Sequence, residues 1–166
     1  MKFISIIIGS KSDYSVMIEC EDILKKFDIQ YELIIASAHR TPERMKKYIL
    51  DAEKRGAKVF IAGAGMAAHL AGVISSLTTK PVLGVPIPSG DLKGQDSLLS
   101  TVMMPAGFPV GTLAVGKAGA KNSAYLAIQI LSIEKSELEI KIKEDRINTI
   151  KQVELDSLEI ETLIQN

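Results

Sequence analysis

The chain has 166 residues, 46% of them apolar and only 5% aromatic, and its 20 basic side chains are balanced by 20 acidic ones. That length suits one domain with a sizeable core, while zero net charge and few aromatics argue against a surface built to grip nucleic acid or an anionic membrane. One cysteine excludes an internal disulfide framework, and no apolar run approaches the ~20 residues of a membrane span.

The first apolar run, Phe3–Ile8, has the length and β-branched character of a buried strand. It lacks the long apolar region and small-residue cleavage site of a signal peptide. The expectation is a cytoplasmic protein whose chain begins directly with a strand. Gly9-Ser10-Lys11-Ser12-Asp13 follows, crowding two hydroxyls and a carboxylate onto the start of a helix. Helix N-termini favour phosphate; Ser12 or Asp13 acting as an N-cap explains part of the pattern, but capping does not require all three polar groups. Val16, Cys20, Ile23, Leu24 and Phe27 then recur at helical spacing, and Cys20 among them reads as a buried thiol.

The second strand is expected at Tyr31–Ala36, followed by Ser37-Ala38-His39-Arg40-Thr41-Pro42-Glu43. Thr41 and Pro42 suit the N-cap and first position of the next helix. Capping does not explain His39, which titrates near neutral pH and can shuttle protons, or Arg40, which can grip a phosphate through two N–H donors. Met45, Ile49 and Ala52 form the next helical stripe, with Gly56 as its stop.

The third strand is expected at Lys58–Ala62, leading into Gly63-Ala64-Gly65-Met66-Ala67-Ala68-His69-Leu70. This satisfies a loose GxGxxA dinucleotide pattern, but it follows the third strand and no acidic residue closes a later strand at the expected ~20-residue spacing. The glycines more simply allow close backbone approach to a ligand. His69 suits either a ligand contact or a buried helix position. A fourth strand at Pro81–Val85 is followed by Ser89-Gly90-Asp91 and a helix start capped by Asp96 or Ser97. After the proline-bounded loop Met104–Val110, the fifth strand is expected at Gly111–Val115 and a helix at Lys117–Ile133. Residues 134–166 are rich in Glu, Lys, Ile and Leu, without glycine or proline, and read as one or two further helices in a tail of a single domain 1–166.

Strands alternating with helices give βαβ units, whose handedness builds a parallel sheet with helices on both faces. The fold expected is a flavodoxin-like three-layer α/β/α sandwich, with ligands beyond the carboxyl ends of the strands. There is no Walker loop, no GxSxG elbow and no cysteine cluster, and His39 and His69 without neighbouring carboxylates do not suggest a metal site.

The motifs GSKSD, SAHRTPE, GAGMAAHLAG, PVLGVP, GQDSLLSTVMMPAGFPV and AVGKAGAKNSA occur here in the order seen in the PurE family. Over about Ile4 to Leu131 the chain resembles that family, 5-(carboxyamino)imidazole ribonucleotide mutase of purine (IMP) biosynthesis. The resemblance implies a cytoplasmic homo-octamer of flavodoxin-like subunits, with sites between subunits and no metal or organic cofactor. It implies a ribonucleotide substrate whose carboxylate moves from the exocyclic nitrogen to ring carbon C4, with transient CO2. Matched by motif, Ser10, Ser12, Asp13, Ser37, Ala38 and Arg40 would contact substrate, Arg40 holding the phosphate. Gly63, Ala64, Gly65, His69 and Leu70 would cover the base and carboxylate, and His39 would carry the proton. The chain departs from the family at Met66, where glycine is usual, at Ala71, where proline is usual, and at Met103, where glutamine is common.

Three other readings stand beside this one. A direct carboxylase would take free CO2 and the uncarboxylated ribonucleotide. A non-catalytic nucleotide-binding module would bind without turnover, and a nicotinamide-dependent oxidoreductase would rest on GxGxxA alone.

Overall fold

The computed structural model describes residues 2–162. In chain order the elements are β1 (Phe3–Ile8), α1 (Tyr14–Lys26), β2 (Tyr31–Ile35), α2 (Pro42–Arg55), β3 (Ala57–Gly65), α3 (Leu70–Ser75), β4 (Val82–Ile87), α4 (Gln95–Val102), β5 (Gly111–Thr112), α5 (Lys117–Ser132) and α6 (Ser136–Ile160). A single 3-10 turn, Lys11–Asp13, joins β1 to α1. The strands form one parallel sheet in the order β2-β1-β3-β4-β5. This is the flavodoxin-like order, and its connections reverse direction between β1 and β3.

Strand alternation sorts the helices into two layers. Phe3 and Ile7 of β1 join Phe60 and Ala62 of β3 in a core with Met45, Ile49 and Ala52 of α2 and Leu70, Ala71 and Ile74 of α3. A Cβ on Gly84, which pairs with Ala62, would run into Thr101 of α4, so α4 lies on the same face. The opposite face takes α1 and α5: a Cβ on Gly63 would meet Met17 of α1 at 2.7 Å, and Ser123 of α5 donates to Cys20 of α1 at 3.7 Å. Every residue of β1 is buried, as expected of a central parallel strand covered on both faces. Each such isoleucine contributes roughly 1.5–3 kcal/mol relative to an exposed one.

Several boundaries differ from the expectation. β3 runs on to Gly65, because Ala64 and Gly65 pair with Pro86 and Ile87 of a β4 that is itself longer than expected. β5 has only two residues in place of Gly111–Val115; Leu113 and Gly116 still donate to the Gly84 and Pro86 carbonyls, but the chain then turns at Gly116, whose φ is 78°. α4 is preceded by Gly94 with φ 97°, so neither Asp96 nor Ser97 is its N-cap. Ser97 lies inside the first turn and donates to the Gly94 and Ile87 carbonyls at 3.0 Å.

The chain divides into two compact units, residues 1–128 and 129–166. The sheet and helices α1–α4 belong to the first. The second holds the end of α5 and α6, one helix of 25 residues whose second half exposes Ile147, Ile150, Val153, Leu155, Leu158 and Ile160. Residues 163–166 of the expected tail lie outside the described residues.

Candidate active site

The carboxyl ends of β1, β2, β3 and β4 open onto a cavity of about 430 Å³. It lies at the point where strand order reverses, where an open α/β sheet leaves a crevice. Four connections furnish its walls. From the first come Ser10, Ser12 and Asp13; from the second, Ser37, Ala38, His39 and Arg40; from the third, Ala64, Gly65, His69 and Leu70. The fourth contributes Ser89.

The β1 connection is shaped by its own polar groups. The Ser10 amide donates to Asp13 Oδ2 at 2.9 Å, and the Asp13 amide donates to the Ser10 carbonyl at 3.2 Å. Asp13 therefore caps backwards onto Ser10, which opens the 3-10 turn, while Asp13 itself holds the N-cap position of α1, as one of the two expected residues, without a side-chain cap bond there. Burial raises the Asp13 carboxyl above its ordinary value, opposed by the hydrogen bonds from Ser10. The Ser10 and Ser12 hydroxyls hydrogen-bond to each other at the cavity wall.

In the β2 connection, Thr41 and Pro42 sit as N-cap and first residue of α2, as the sequence suggests. The Ser37 amide donates to Thr41 Oγ1 at 2.9 Å and the Arg40 amide to Ser37 Oγ at 3.1 Å, which folds the loop into a tight turn. The Arg40 guanidinium reaches across to the β1 connection, where Nη2 donates to the Gly9 carbonyl at 2.9 Å. It thus spans the two loops that meet at the switch point.

Neither the spacing of the histidines nor the motifs foretold how His39 and His69 meet. His39 Nε2 and His69 Nδ1 are 2.8 Å apart, and the rings meet edge to face, 4.9 Å between centroids. His69 stands exposed at the N-cap position of α3, so it is not a buried helix residue. In such a contact one ring nitrogen donates and the other accepts, so a proton taken up at one ring is shared with the second.

Gly63 does not line the cavity. It lies within β3, where its missing Cβ makes room for Met17. Gly65 does line it, but the side chain pressed against it is Ser89, whose hydroxyl occupies the place of a Cβ. The close approach these glycines permit is therefore, in both cases, to another part of the chain. Gly9, Ala67 and Ser89 are wall residues that sequence reasoning did not select, although Ser89 lies just past a strand's carboxyl end, where the other loops were sought. Met66, one of the departures from the family, lines the cavity with φ 55° and a 62% exposed side chain. Of the other two, Ala71 is buried in the core and Met103 is 78% exposed after α4.

A larger concavity of about 870 Å³ lies at the other end of the sheet, around Glu53, Thr78, Lys80 and Phe108. It holds neither histidine, and its Thr78 hydroxyl is engaged with Glu53 at 3.2 Å. The convergent polar groups make the smaller cavity the candidate site.

Residues 3–152 match the family model described as AIR carboxylase. An N5-carboxyaminoimidazole ribonucleotide mutase of Saccharolobus solfataricus is 54% identical over 160 residues, covering 95% of this chain and 100% of the relative. One from Bacillus subtilis is 51% identical, with 93% and 94% covered. The crystal structure of Treponema denticola PurE superimposes with a TM-score of 0.86 at 25% identity, over 98% of this chain and 100% of that one.

Proposed function

The chain belongs to the AIR carboxylase family, and on that premise we propose that it is an isomerase of purine biosynthesis. It moves the carboxylate of an N5-carboxyaminoimidazole ribonucleotide from the exocyclic nitrogen to C4 of the ring. The observation that carries the reading is the pair of imidazoles 2.8 Å apart in a cavity at the strand-order reversal, in a chain whose relatives bear that activity in their names.

The chemistry needs one proton out and one proton back. When the carbamate N–C bond breaks, its electron pair stays on the exocyclic nitrogen, which takes a proton, and CO2 is released into the cavity. C4 then attacks CO2, forming the new C–C bond. The C4 hydrogen must leave as a proton to restore the aromatic ring. His39 supplies the first proton and removes the second, so the enzyme ends as it began. His69 holds the His39 ring in place and shares its hydrogen bond. Holding CO2 beside C4 makes recapture intramolecular in effect, which removes most of the entropic cost of a bimolecular step.

Ser10, Ser12, Asp13, Ser37 and Ala38 form the ribonucleotide side of the site, and Arg40 holds the phosphate. The loop Ala64–Leu70 covers the base and the migrating carboxylate. The working form is a cytoplasmic homo-octamer, consistent with the apolar face that α4 and the next loop leave open: Leu99 is 61% exposed and Met103 78%.

The test is to supply two substrates separately to the purified protein: the N5-carboxylated ribonucleotide, and the uncarboxylated ribonucleotide with bicarbonate. The C4-carboxylated product is followed by absorbance. Fast turnover of the first and slow turnover of the second is expected. The reverse ranking would assign direct carboxylation, and binding without turnover would make the chain a non-catalytic module.

A further inference from the structure

Elsewhere on the first unit, several cations are paired. Lys25 lies against Glu21, Arg55 against Glu32 and Asp51, and Lys117 and Lys121 share Glu19. A chain with equal numbers of both charges has the carboxylates to do this throughout. Among the described residues, Lys54 and Lys93 nonetheless stand without an ion-pair partner, and so do Lys11 and Arg44 beside the catalytic cavity.

On the far side of Arg40 from the histidines, a second groove of about 480 Å³ opens to solvent. It shares Gly9, Ser10, Ser37 and Arg40 with the catalytic cavity, so the Arg40 guanidinium stands in the partition between them. Its remaining walls bring Lys11 from the turn after β1 and Arg44 from the first turn of α2. Both side chains are exposed, and neither forms an ion pair with any described residue. No aspartate or glutamate lines the groove. Lys46 and Lys47 extend the positive charge along α2, against the single carboxylate of Glu43 in that stretch.

Lys11 and Arg44, without an acidic partner and beside Arg40 on one wall, raise the local potential and the local concentration of an anion. They cost the fold little, because all three heads remain in water. Arg40 is tied by its bonds to Gly9 and Ser37, whereas Lys11 and Arg44 have no such anchor and are free to follow a ligand. Two mobile cations outside a fixed one suit the capture and handing inward of a phosphate monoester better than its final grip.

We propose that Lys11 and Arg44 form, with Arg40, an outer anion-binding groove that captures the phosphate of the incoming ribonucleotide and delivers it to the catalytic cavity. This rests on the ribonucleotide reading above, and it gives a role to Lys11 and Arg44, which the motif match did not place on the substrate. The groove acts on association, so its removal falls on kcat/KM and on nucleotide affinity, and not on the proton transfers at His39.

The experiment compares wild type with Lys11→Gln, Arg44→Gln and the double variant, with Lys54→Gln at the far end of α2 as the charge control. Kinetics are measured at about 0.01 M salt, where charges act over ~30 Å, and at about 0.15 M, where they act over ~8 Å. The expected result is a loss in kcat/KM of roughly tenfold or more for the double variant at low salt, within the range that steering supplies. That loss shrinks at the higher salt, and Lys54→Gln behaves as wild type. Arg44→Lys, which keeps the charge, restores most of the rate. In parallel, calorimetry measures binding of the aminoimidazole ribonucleotide and of its nucleoside without phosphate. The nucleotide should lose affinity in the double variant and the nucleoside should not. A double variant within about twofold of wild type at low salt overturns the proposal, as does a loss of the same size for nucleoside and nucleotide. Failure of the ribonucleotide reading looks different: the wild type then neither turns over nor binds the nucleotide, and the groove as a ribonucleotide site falls with it.

Discussion

His39 lies on an exposed loop, held by the turn that Ser37, Arg40 and Thr41 build around it. Its ring is in contact with His69, and the proposed mechanism gives it both proton transfers. Asparagine at position 39 keeps the approximate size and removes the titrating group. His39→Asn is expected to lower kcat by ~10²–10⁴-fold or more, because one residue serves both transfers, while ribonucleotide affinity is kept. Steady-state kinetics together with equilibrium binding check this. A folded variant retaining more than about a tenth of wild-type turnover would assign the proton to another group. His69→Asn should cost less, since it removes the neighbour that orients the ring and leaves the carrier. Cys20 has no such role: burial pushes its thiol up to about 12, with Ser123 as its contact. In the native protein it should resist iodoacetamide at mildly alkaline pH, and it should react once the chain is unfolded in urea. Rapid labelling of the folded protein would contradict the burial.

At the scale of elements, the edge of the sheet is held by one partly buried network. Ser5 in β1 is fully buried, and its hydroxyl meets Tyr48 Oη of α2 at 2.9 Å. Tyr48 in turn donates to Glu32 of β2 at 3.0 Å, and Arg55 at the end of α2 pairs with the same Glu32. This guanidinium holds the Glu32 carboxyl below the usual range. The network fastens α2 to both β1 and β2, a strand with no fully buried residue. Tyr48→Phe leaves the Ser5 hydroxyl buried without its partner and should cost about 1–3 kcal/mol in urea denaturation. Adding Ser5→Ala should recover part of that loss, since both partners are then apolar; simple additivity would show that the pair does not interact. Tyr48 also makes the network pH-sensitive. Burial raises its phenol from 10.0 to about 12, so between those values the unfolded chain loses this proton before the folded one does. The folded state then binds more protons, and stability falls as pH rises across that window. Tyr48→Phe should lack that part of the slope.

At the scale of the whole molecule, the chain leaves apolar surface that its own fold does not cover. Leu99 and Val102 of α4 and Met103 just after it follow one another at helical spacing, and all three are exposed, as is Phe108 in the next loop. A stripe of that kind suits the assembly proposed above. Light scattering at micromolar concentration should give a particle of eight times the 18.0 kDa of the subunit. Replacing Leu99 and Met103 by lysine should shift the mass to smaller species and lower activity, as expected where sites are completed between subunits. A monomer of full activity would refute the assembly.

The strands and helices of this protein were legible in its sequence, because buried parallel strands must be short and apolar on both faces, and helices must place a stripe every three or four residues. Phe3–Ile8, the stripe Met45, Ile49 and Ala52, and the stop at Gly56 emerge from those constraints alone. The loops that carry chemistry were legible for a related reason: polar groups that capping does not use, placed after a strand, have few other purposes. Most of the expected wall residues, from Ser10 to Leu70, do meet in one cavity. What only the tertiary structure decided is which groups face one another. The contact between His39 and His69 depends on β2 and β3 standing on either side of β1. The assignment of Gly63 to Met17 and of Gly65 to Ser89 depends on which residue projects from the facing element. Sheet order and the direction of side chains are set by long-range packing, which leaves no local mark on spacing or composition. Lys11 and Arg44 make the same point, since in the sequence they are two charges among many, and only the folded loops bring them to one wall without a carboxylate.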